Sequence, residues 1–319
     1  MAPAHHPIDP TRTARGAVLI AVSAALVLAV AAPSLGAAAE PDVVPDSILA
    51  AHARMGAEGA PTHPCLDRGT LLLSGGGIGD AAAARRFRDL SGGAGGRLVI
   101  VPTAGVDPAD PASARAIGER TARRLGVASV TVLHAASRLE ADASGFAGPL
   151  RDATGVWISS GDGARLVDTY MGTRAETALI AFLAGGGVVA GSAAGAMVWG
   201  SEVLMYRTHP GAEGFEIRRP EDLIHGELRG TTFGLLRRTV LAAHFTRYDV
   251  GPSLVRAVGG APSLLGIGLD DESAVEVHDG VLTVLGRGRV HVFDARHPGE
   301  APLILKPGAL YDLRRRVEF

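Results

Sequence analysis

A run of very small residues in the middle of the chain is typical of a nucleophile elbow, a sharp turn between a strand and a helix. Residues 185–199 read GGGVVAGSAAGAMVW, with a short apolar strand predicted at 188–190 and a helix from about Ala194. Small flanking residues let the strand and the helix approach closely while one side chain, usually serine, projects from the bend. A serine in that place would attack a carbonyl carbon, so the pattern points to acyl-transfer chemistry.

The spacing leaves two positions open for the tip of this turn. With Gly191 and Gly195 as the outer small residues, the central residue is Ala193, which carries no nucleophile. In a frame shifted by one residue, Ser192 is central and also has small neighbours on both sides. The steric pattern alone allows either frame.

A serine nucleophile also needs a base to accept its proton and an acid to orient that base. His244 stands near the end of an apolar segment, 235–245, that we expect to form a strand, and it is the best candidate for the base. The acid is expected among the consecutive carboxylates Asp270, Asp271 and Glu272, which follow the next apolar segment. A structural histidine and a solvated acidic turn are the alternative interpretations.

Glycine-rich loops are candidates for binding an oxyanion or a substrate. GGGIGD lies between a predicted strand at 69–74 and a predicted helix at 81–90, so the amides of Gly75 and Gly76 are candidate donors, as is the amide of Ala194. Asp162 and Gly163 lie at the start of another helix. Aspartate is a common N-cap there, and contact with a substrate is the alternative.

Short apolar strands alternate with amphipathic helices from residue 69 onward. Strands are predicted at 69–74, 97–102, 129–133, 155–159 and 188–190, and helices at 81–90, 109–125 and 165–183. This alternation predicts an α/β fold with a doubly wound, mostly parallel sheet and helices on both faces. Segments 274–277, 282–285 and 289–294 predict a C-terminal antiparallel extension. Because the carboxyl ends of parallel strands share one edge, the loops named above should meet in one crevice.

The first 39 residues have the features of a secretory signal peptide. Arg12 and Arg15 precede an apolar run at 17–32, which Pro33 ends, and small residues at 37–39 provide a cleavage site. We therefore predict export to the periplasm or the extracellular medium, with an uncleaved N-terminal membrane anchor as the alternative. Residues 40–68 are predicted to be a linker or N-terminal embellishment with a helix at 46–55, and residues 69–319 to be one domain.

Composition excludes several classes of protein. The 319 residues are 47% hydrophobic and carry a net charge of −2, which disfavours a nucleic-acid-binding surface. Arg314, Arg315 and Arg316 form the only tight cationic triplet, interpreted as a solvated tail. The single cysteine, Cys65, excludes an internal disulfide and is expected to be inert. No dinucleotide fingerprint or metal-ligand pattern is present, so we predict neither a cofactor nor a metal.

Taken in order, these motifs resemble the cyanophycinase and aspartyl-dipeptidase family of serine peptidases, whose fold is similar to the class I glutamine-amidotransferase domain. The resemblance covers about residues 69–295. It rests on LLLSGGGIGD, on ISSGDGARL at 158–166, on GSAAGA at 191–196, on His244 with Phe245, and on GLDDESA at 268–274.

Carried over position by position, the resemblance implies an altered active site. The nucleophilic serine of the family falls on Ala193, and the glutamine after the loop aspartate falls on Gly163. The glutamate of the last motif falls on Asp271, whereas the histidine is retained as His244. The family arginines that follow His-Phe fall on Tyr248, Val250 and Ser253, with Arg247 one place away.

Two hypotheses follow. In the first, the chain is an exported protein with the peptidase fold that no longer performs triad hydrolysis and binds a peptide or small-molecule ligand in the crevice. In the second, it is an active serine-type peptidase or isopeptidase in which Ser192 attacks, His244 is the base and Asp271 or Glu272 orients the imidazole. Neither hypothesis requires a nucleic-acid partner. A membrane partner is expected only with an uncleaved signal, and a homo-oligomer is left open.

Overall fold

A computed structural model describes residues 60–77, 81–107, 110, 112–208, 223–230 and 232–319. The predicted signal peptide, the helix predicted at 46–55 and most of the predicted linker lie outside the described residues. Among the helices that the structure describes, none has the length and apolar character needed to cross a membrane.

Parallel strands form the centre of a nine-stranded sheet, which confirms the predicted α/β fold. These strands are β1 (Thr70–Ser74), β2 (Leu98–Val101), β3 (Thr131–Val132), β4 (Gly155–Ile158) and β5 (Val188–Ser192), in the spatial order β1-β5-β4-β2-β3. Every residue of β1, β2, β4 and β5 is buried. Burial of whole strands is expected for a parallel sheet that is covered on both faces.

Helices cover both faces of this sheet. The described α-helices are α1 (Ala81–Leu90), α2 (Ser113–Leu125), α3 (Arg138–Ala141), α4 (Gly163–Tyr170), α5 (Arg174–Ala184), α6 (Ala194–Met197) and α7 (Gly251–Gly259), the last of which packs on a second sheet. On one face, Leu72 and Ala190 pack with Phe87 of α1. On the other face, Leu71 packs in a larger apolar cluster with Leu183 of α5. Successive residues of a strand point to opposite faces, so adjacent leucines of β1 serve different clusters.

The single helix predicted at 165–183 is two helices in the structure, α4 and α5. Gly172 lies between them with a φ of +69°, in the left-handed region that interrupts a helix. The hydroxyl of Thr173 then accepts a hydrogen bond from the amide of Glu176 and caps α5. The glycine and the cap together explain why the helical pattern of the sequence does not form one continuous helix.

Antiparallel strands extend the sheet beyond β1. They are β10 (Ser273–His278), β11 (Val281–Gly286), β14 (Leu310–Asp312) and β15 (Val317–Glu318), in the order β15-β14-β11-β10-β1. The predicted hairpin between the first two is present, with His278 paired to Val281. Asp279 and Gly280 form its turn with φ values of +45° and +75°.

A second sheet was not expected from the sequence. It contains β6 (Glu202–Thr208), β7 (Leu223–Gly230), β8 (Thr239–Ala242), β9 (Leu265–Leu269), β12 (Val290–Asp294) and β13 (Leu303–Leu305), in the order β13-β12-β9-β8-β6-β7. Strand β12 was predicted to continue the C-terminal extension, but it pairs with β9 in this second sheet. The amides of Arg287 and Gly288 both donate to the carbonyl of Glu272, and this turn separates β12 from β11.

The strand predicted at 235–245 is shorter in the structure, where β8 covers only Thr239–Ala242. Arg238 and His244 bracket it with φ values of +53° and +51°, a backbone region that ends extended structure. Leu241 of β8 nevertheless belongs to the same apolar cluster as Leu73 of β1. The second sheet is therefore packed on the first, and the chain after β8 passes close to the carboxyl end of β1.

Candidate functional site

The turn after β5 has the geometry of a nucleophile elbow, and Ala193 is at its tip. Ala193 has φ +46° and ψ −111°, a conformation that residues other than glycine rarely adopt and that costs on the order of 1–3 kcal/mol. Its amide donates to the carbonyl of Ser74, at 3.0 Å. A Cβ on Gly191 would lie 2.1 Å from the carbonyl oxygen of Gly195, so the outer glycines are required. The backbone therefore selects the frame in which the central residue is Ala193.

Ser192 occupies the last position of β5 instead of the tip. It is 2% exposed and pairs with Ser74 in the parallel register. Side chains alternate along a strand, so Ser192 lies on the same face as Ala190, which packs in the cluster under α1. Among the described residues, no hydrogen bond joins Ser192 to His244. The structure therefore does not contain the Ser192–His244 hydrogen bond that the second hypothesis requires.

His244 is held next to the elbow by the end of β1. Its amide donates to the carbonyl of Gly75 at 3.0 Å, one residue after the carbonyl that accepts from Ala193. The consecutive carbonyls of Ser74 and Gly75 thus fix the elbow and the histidine side by side. The imidazole side chain is 20% exposed, and its ring centroid lies 5.1 Å from that of Tyr248.

The acid that contacts the imidazole is Asp271. Its Oδ1 hydrogen-bonds to Nδ1 of His244, and its Oδ2 accepts from Arg247 at 3.2 Å. Donation from Nδ1 leaves Nε2 as the basic nitrogen of a neutral imidazole. Glu272 does not take this role, because its carboxylate pairs with Arg287 at 2.8 Å and its side chain is 63% exposed. The alternative that named Glu272 as the orienting acid is thus not supported by the contacts.

The glycines after β1 allow the acidic turn to approach closely. A Cβ on Gly75 would lie 2.3 Å from the carbonyl oxygen of Asp270, and one on Gly76 would lie 2.2 Å from that of Asp271. The amide of Gly75 donates to the carbonyl of Ser273, so it is unavailable to an oxyanion. Gly76 has no such amide partner among the described residues. The amide of Ala194 opens α6 and lacks an acceptor within the helix.

Asp162 is the N-cap of a helix, which is the structural role considered for it above. The carboxylate of Asp162 accepts from the amides of Ala164 and Arg165, at 2.9 and 3.3 Å, and caps α4, whose first residue is Gly163. The loop follows β4, the neighbour of β5 in the sheet. Asp162 therefore follows the strand next to β5, and its carboxylate is engaged by the helix.

Asp270 supports the site in a way that the sequence did not indicate. Its carboxylate accepts from the hydroxyl of Thr246 at 2.5 Å, from the amide of Arg289 at 3.3 Å and from Nε2 of His291 at 3.4 Å. These contacts join the chain that follows His244 to the turn that carries Asp271. The run of three carboxylates in the sequence indicated an acidic turn, but the partner of each carboxylate depends on the fold.

The pKa of Asp270 gives a testable consequence for stability. Burial alone raises the pKa of this carboxyl, but the hydrogen bonds from His291 and Thr246 outweigh burial and lower the pKa from 3.8 to about 2. The ionised form therefore stabilises the fold above pH 3.8, and this contribution is lost as the pH falls from 3.8 towards 2.

Asp270→Asn should remove that contribution. We expect the variant to be less stable at pH 7 by about 1 kcal/mol, because it loses charged hydrogen bonds, and to lose less stability than the wild type on acidification to pH 3. Urea unfolding at both pH values measures the difference. Glu300→Gln, at an exposed position, is the control, and parallel pH dependence in the wild type and in Asp270→Asn would contradict the assignment.

A cavity of about 720 Å³ opens beside the histidine and Asp271. Its charged lining consists of His244, Asp271, Glu272, Arg85, Arg124, Arg247 and Arg287. Arg247 and Arg287 pair with the two acids. Arg85 of α1 and Arg124 of α2 have no ion-pair partner in the part of the chain that the structure describes. Excess positive charge in a concave surface favours an anionic ligand.

Other candidate chemistry is weaker in the structure. Cys65 is 4% exposed, and burial followed by the charge of Asp67 raises its pKa to about 12, so its thiol stays protonated. Within the described ranges, no group of three histidine, cysteine or acidic side chains is placed to hold a metal ion.

Comparison with known proteins agrees with this architecture. A family model for peptidase family S51 matches residues 70–285. The chain is 30% identical over 215 residues to a cyanophycinase from Trichormus variabilis, covering 66% of this chain and 67% of that protein. It is 27% identical over 270 residues to a cyanophycinase from Synechococcus elongatus, covering 80% and 79% respectively.

A solved structure supports the fold independently. The crystal structure of a peptidase from an acI-B1 Actinobacterium matches with a TM-score of 0.59 at 22% identity, covering 76% of this chain and 96% of that chain. The family model, in turn, spans the chain from β1 into β11, including the elbow, His244 and the acidic turn. This chain therefore belongs to peptidase family S51.

Proposed function

We propose that this protein is an S51 member that has lost covalent serine catalysis and binds a ligand in the cavity beside His244 and Asp271. The observation that carries the proposal is the position of Ala193 at the tip of the elbow, where its methyl group has no nucleophilic atom. Loss of the nucleophile from a catalytic triad typically lowers turnover by about 10⁶. Residual chemistry from the imidazole and the backbone amides would be far below that of a working peptidase.

A serine-reactive fluorophosphonate probe tests this proposal on the purified protein. We expect no covalent labelling above that of the Ser192→Ala variant, because Ser192 is buried in the face under α1. An active serine hydrolase, labelled in parallel, serves as the positive control and confirms that the probe is reactive. Labelling that disappears in Ser192→Ala would overturn the proposal and favour the second hypothesis.

The ligand is proposed to be a peptide or small molecule that carries at least one carboxylate. Arg85 and Arg124 line the cavity without an ion-pair partner in the described part of the chain, and they support this choice, since a guanidinium matches a carboxylate in charge and in hydrogen-bond geometry. We expect aspartyl-alanine to raise the thermal midpoint of unfolding more than asparaginyl-alanine does. The difference should vanish in Arg85→Gln and persist in Arg315→Gln. Both dipeptides carry a C-terminal carboxylate, so equal effects on the wild type would argue against recognition of a side-chain carboxylate.

We also propose that the protein is exported, on the basis of the signal-like residues 1–39. The mass of the chain recovered from the producing cell tests this, because cleavage after Ala39 leaves Glu40 at the N-terminus. Recovery of the full-length chain only from the membrane fraction would favour the uncleaved anchor, and recovery from the cytosol would contradict both.

A further inference from the structure

A second cavity, of about 200 Å³, lies at the opposite ends of the strands that lead to the candidate site. Thr239 and Leu265, the first residues of β8 and β9, line its floor. His244 follows the other end of β8, so the four-residue strand alone puts roughly 13 Å between the two places. None of the residues proposed above to take part in the function of the elbow lines this cavity.

Arginines dominate the lining of this second cavity. They are Arg237, Arg238, Arg296, Arg314 and Arg316. Asp294 is the acid that pairs with Arg296 and Arg316, at 2.5 and 2.7 Å. Arg238 and Arg314 have no ion-pair partner within the described ranges. Five arginines thus line a cavity in which, among the described residues, Asp294 is the carboxylate that pairs with two of them.

Arg316 is fixed in place by the surrounding structure. Its guanidinium donates to the carbonyls of Ser263 and Leu264 as well as to Asp294, and its side chain is 12% exposed. The turn that carries it is also fixed, because Oδ1 of Asp312 accepts from the amides of Arg314 and Arg315, both at 2.8 Å. Arg316 and the turn that carries it are therefore positioned by contacts within the protein and do not need a ligand to order them.

Arg237 provides a second, independent observation. Its Nε is buried and has no hydrogen-bond partner among the described residues, and the residue lines the cavity. A buried donor without an acceptor is unfavourable unless a ligand or water supplies one. An anion in the cavity would offset the charge of Arg237 and of the guanidinium groups that have no ion-pair partner in the described part of the chain.

We propose that this cavity binds a phosphate group. The planar guanidinium matches the oxygens of phosphate with paired hydrogen bonds, and a concave surface of one charge concentrates counter-ions. The volume is below the roughly 300–1,000 Å³ of sites for drug-sized ligands, so it suits one phosphate group and little else. The source is either free inorganic phosphate or the phosphate end of a small organic molecule.

Calorimetric titration of the full chain with inorganic phosphate tests the site, with the ionic strength held constant by sodium chloride. We expect one saturable site and a phosphate-dependent rise in the thermal midpoint of unfolding, because a ligand that binds only the folded state stabilises it. Arg314→Gln and Arg237→Met should each weaken binding at least tenfold. A second titration with glycerol 3-phosphate identifies the source: tighter binding than inorganic phosphate indicates an organic phosphate, and equal or weaker binding indicates the free ion.

Two matched variants give the experiment its specificity. Arg315→Gln removes a charge from the same turn, but that side chain is 81% exposed and does not line the cavity, so binding should be unchanged. Arg85→Gln alters the cavity beside His244 and should also leave phosphate binding unchanged. Because the Arg314 side chain makes no hydrogen bond or ion pair among the described residues, its variant should fold normally. Absence of saturation, equal loss in Arg315→Gln, or loss confined to Arg85→Gln would each overturn the proposal.

Discussion

Ala193→Ser is expected to convert this protein into one that a fluorophosphonate probe labels and to raise its hydrolase activity by several orders of magnitude. The backbone at Ala193 already has the strained elbow conformation, and the imidazole of His244 already contacts Asp271. A serine at this position would add the missing atom to an existing arrangement. The scale of the gain follows from the loss of about 10⁶ that usually accompanies removal of a triad nucleophile.

Matched variants separate a true nucleophile from a reactive surface serine. Ala194→Ser places a hydroxyl one residue further on, at a position that is 8% exposed and is the first residue of α6, and should not be labelled. Ala193→Ser combined with His244→Ala should lose the labelling, because the base is absent. A folded Ala193→Ser variant that stays unlabelled and inactive would show that His244 and Asp271 are not positioned to activate a group at the elbow.

The choice between Ser192 and Ala193 illustrates where sequence information ends. Both frames place small residues around the turn, so side-chain size cannot distinguish them. The backbone distinguishes them, because Ala193 has a φ of +46° whereas Ser192 is still paired within β5. Gly191 and Gly195 are the glycines that the turn requires, and Gly195 approaches β4 so closely that a Cβ would lie 2.4 Å from the carbonyl oxygen of Ile158. Such contacts depend on how strand and helix meet.

The acidic turn shows the same limit for electrostatics. Asp270, Asp271 and Glu272 have similar chemistry and adjacent positions, so the sequence predicted an acid without identifying it. In the fold, Asp270 fixes Thr246, Asp271 contacts His244 and Glu272 pairs with Arg287. Each role is set by which neighbouring strand or turn the side chain meets.

The parallel sheet was predictable because it depends on local periodicity, and the second sheet was not because it depends on where the chain changes direction. Apolar strands between amphipathic helices have few alternative arrangements. The positive φ angles at Arg238 and His244, by contrast, shorten β8 without any glycine to indicate them. The residue with this backbone angle, His244, is also the one whose imidazole contacts Asp271. An irregular feature that sequence periodicity misses is thus part of the candidate site.

Gly191→Ala should have the largest effect on stability. The new methyl group would lie 2.1 Å from the carbonyl oxygen of Gly195 and 2.8 Å from the amide nitrogen of Ala196, both backbone atoms of α6 that no side-chain rotation can move away. Relief requires α6 to shift from β5, which disturbs buried packing, so we expect a loss of about 3 kcal/mol in the free energy of unfolding measured in urea.

The same displacement should abolish any labelling gained by Ala193→Ser, because the tip of the elbow is carried between β5 and α6. Gly77→Ala is the control, since a Cβ there meets no atom of the described residues within 4 Å and stability should change by less than about 1 kcal/mol. If Gly191→Ala proved as stable as Gly77→Ala, the close approach of α6 to β5 would be wrong, and with it the placement of Ala193 opposite the histidine. Stability and labelling therefore both test the same geometric relation. β5 and α6 must lie in close contact for residue 193 to be held at the tip of the elbow.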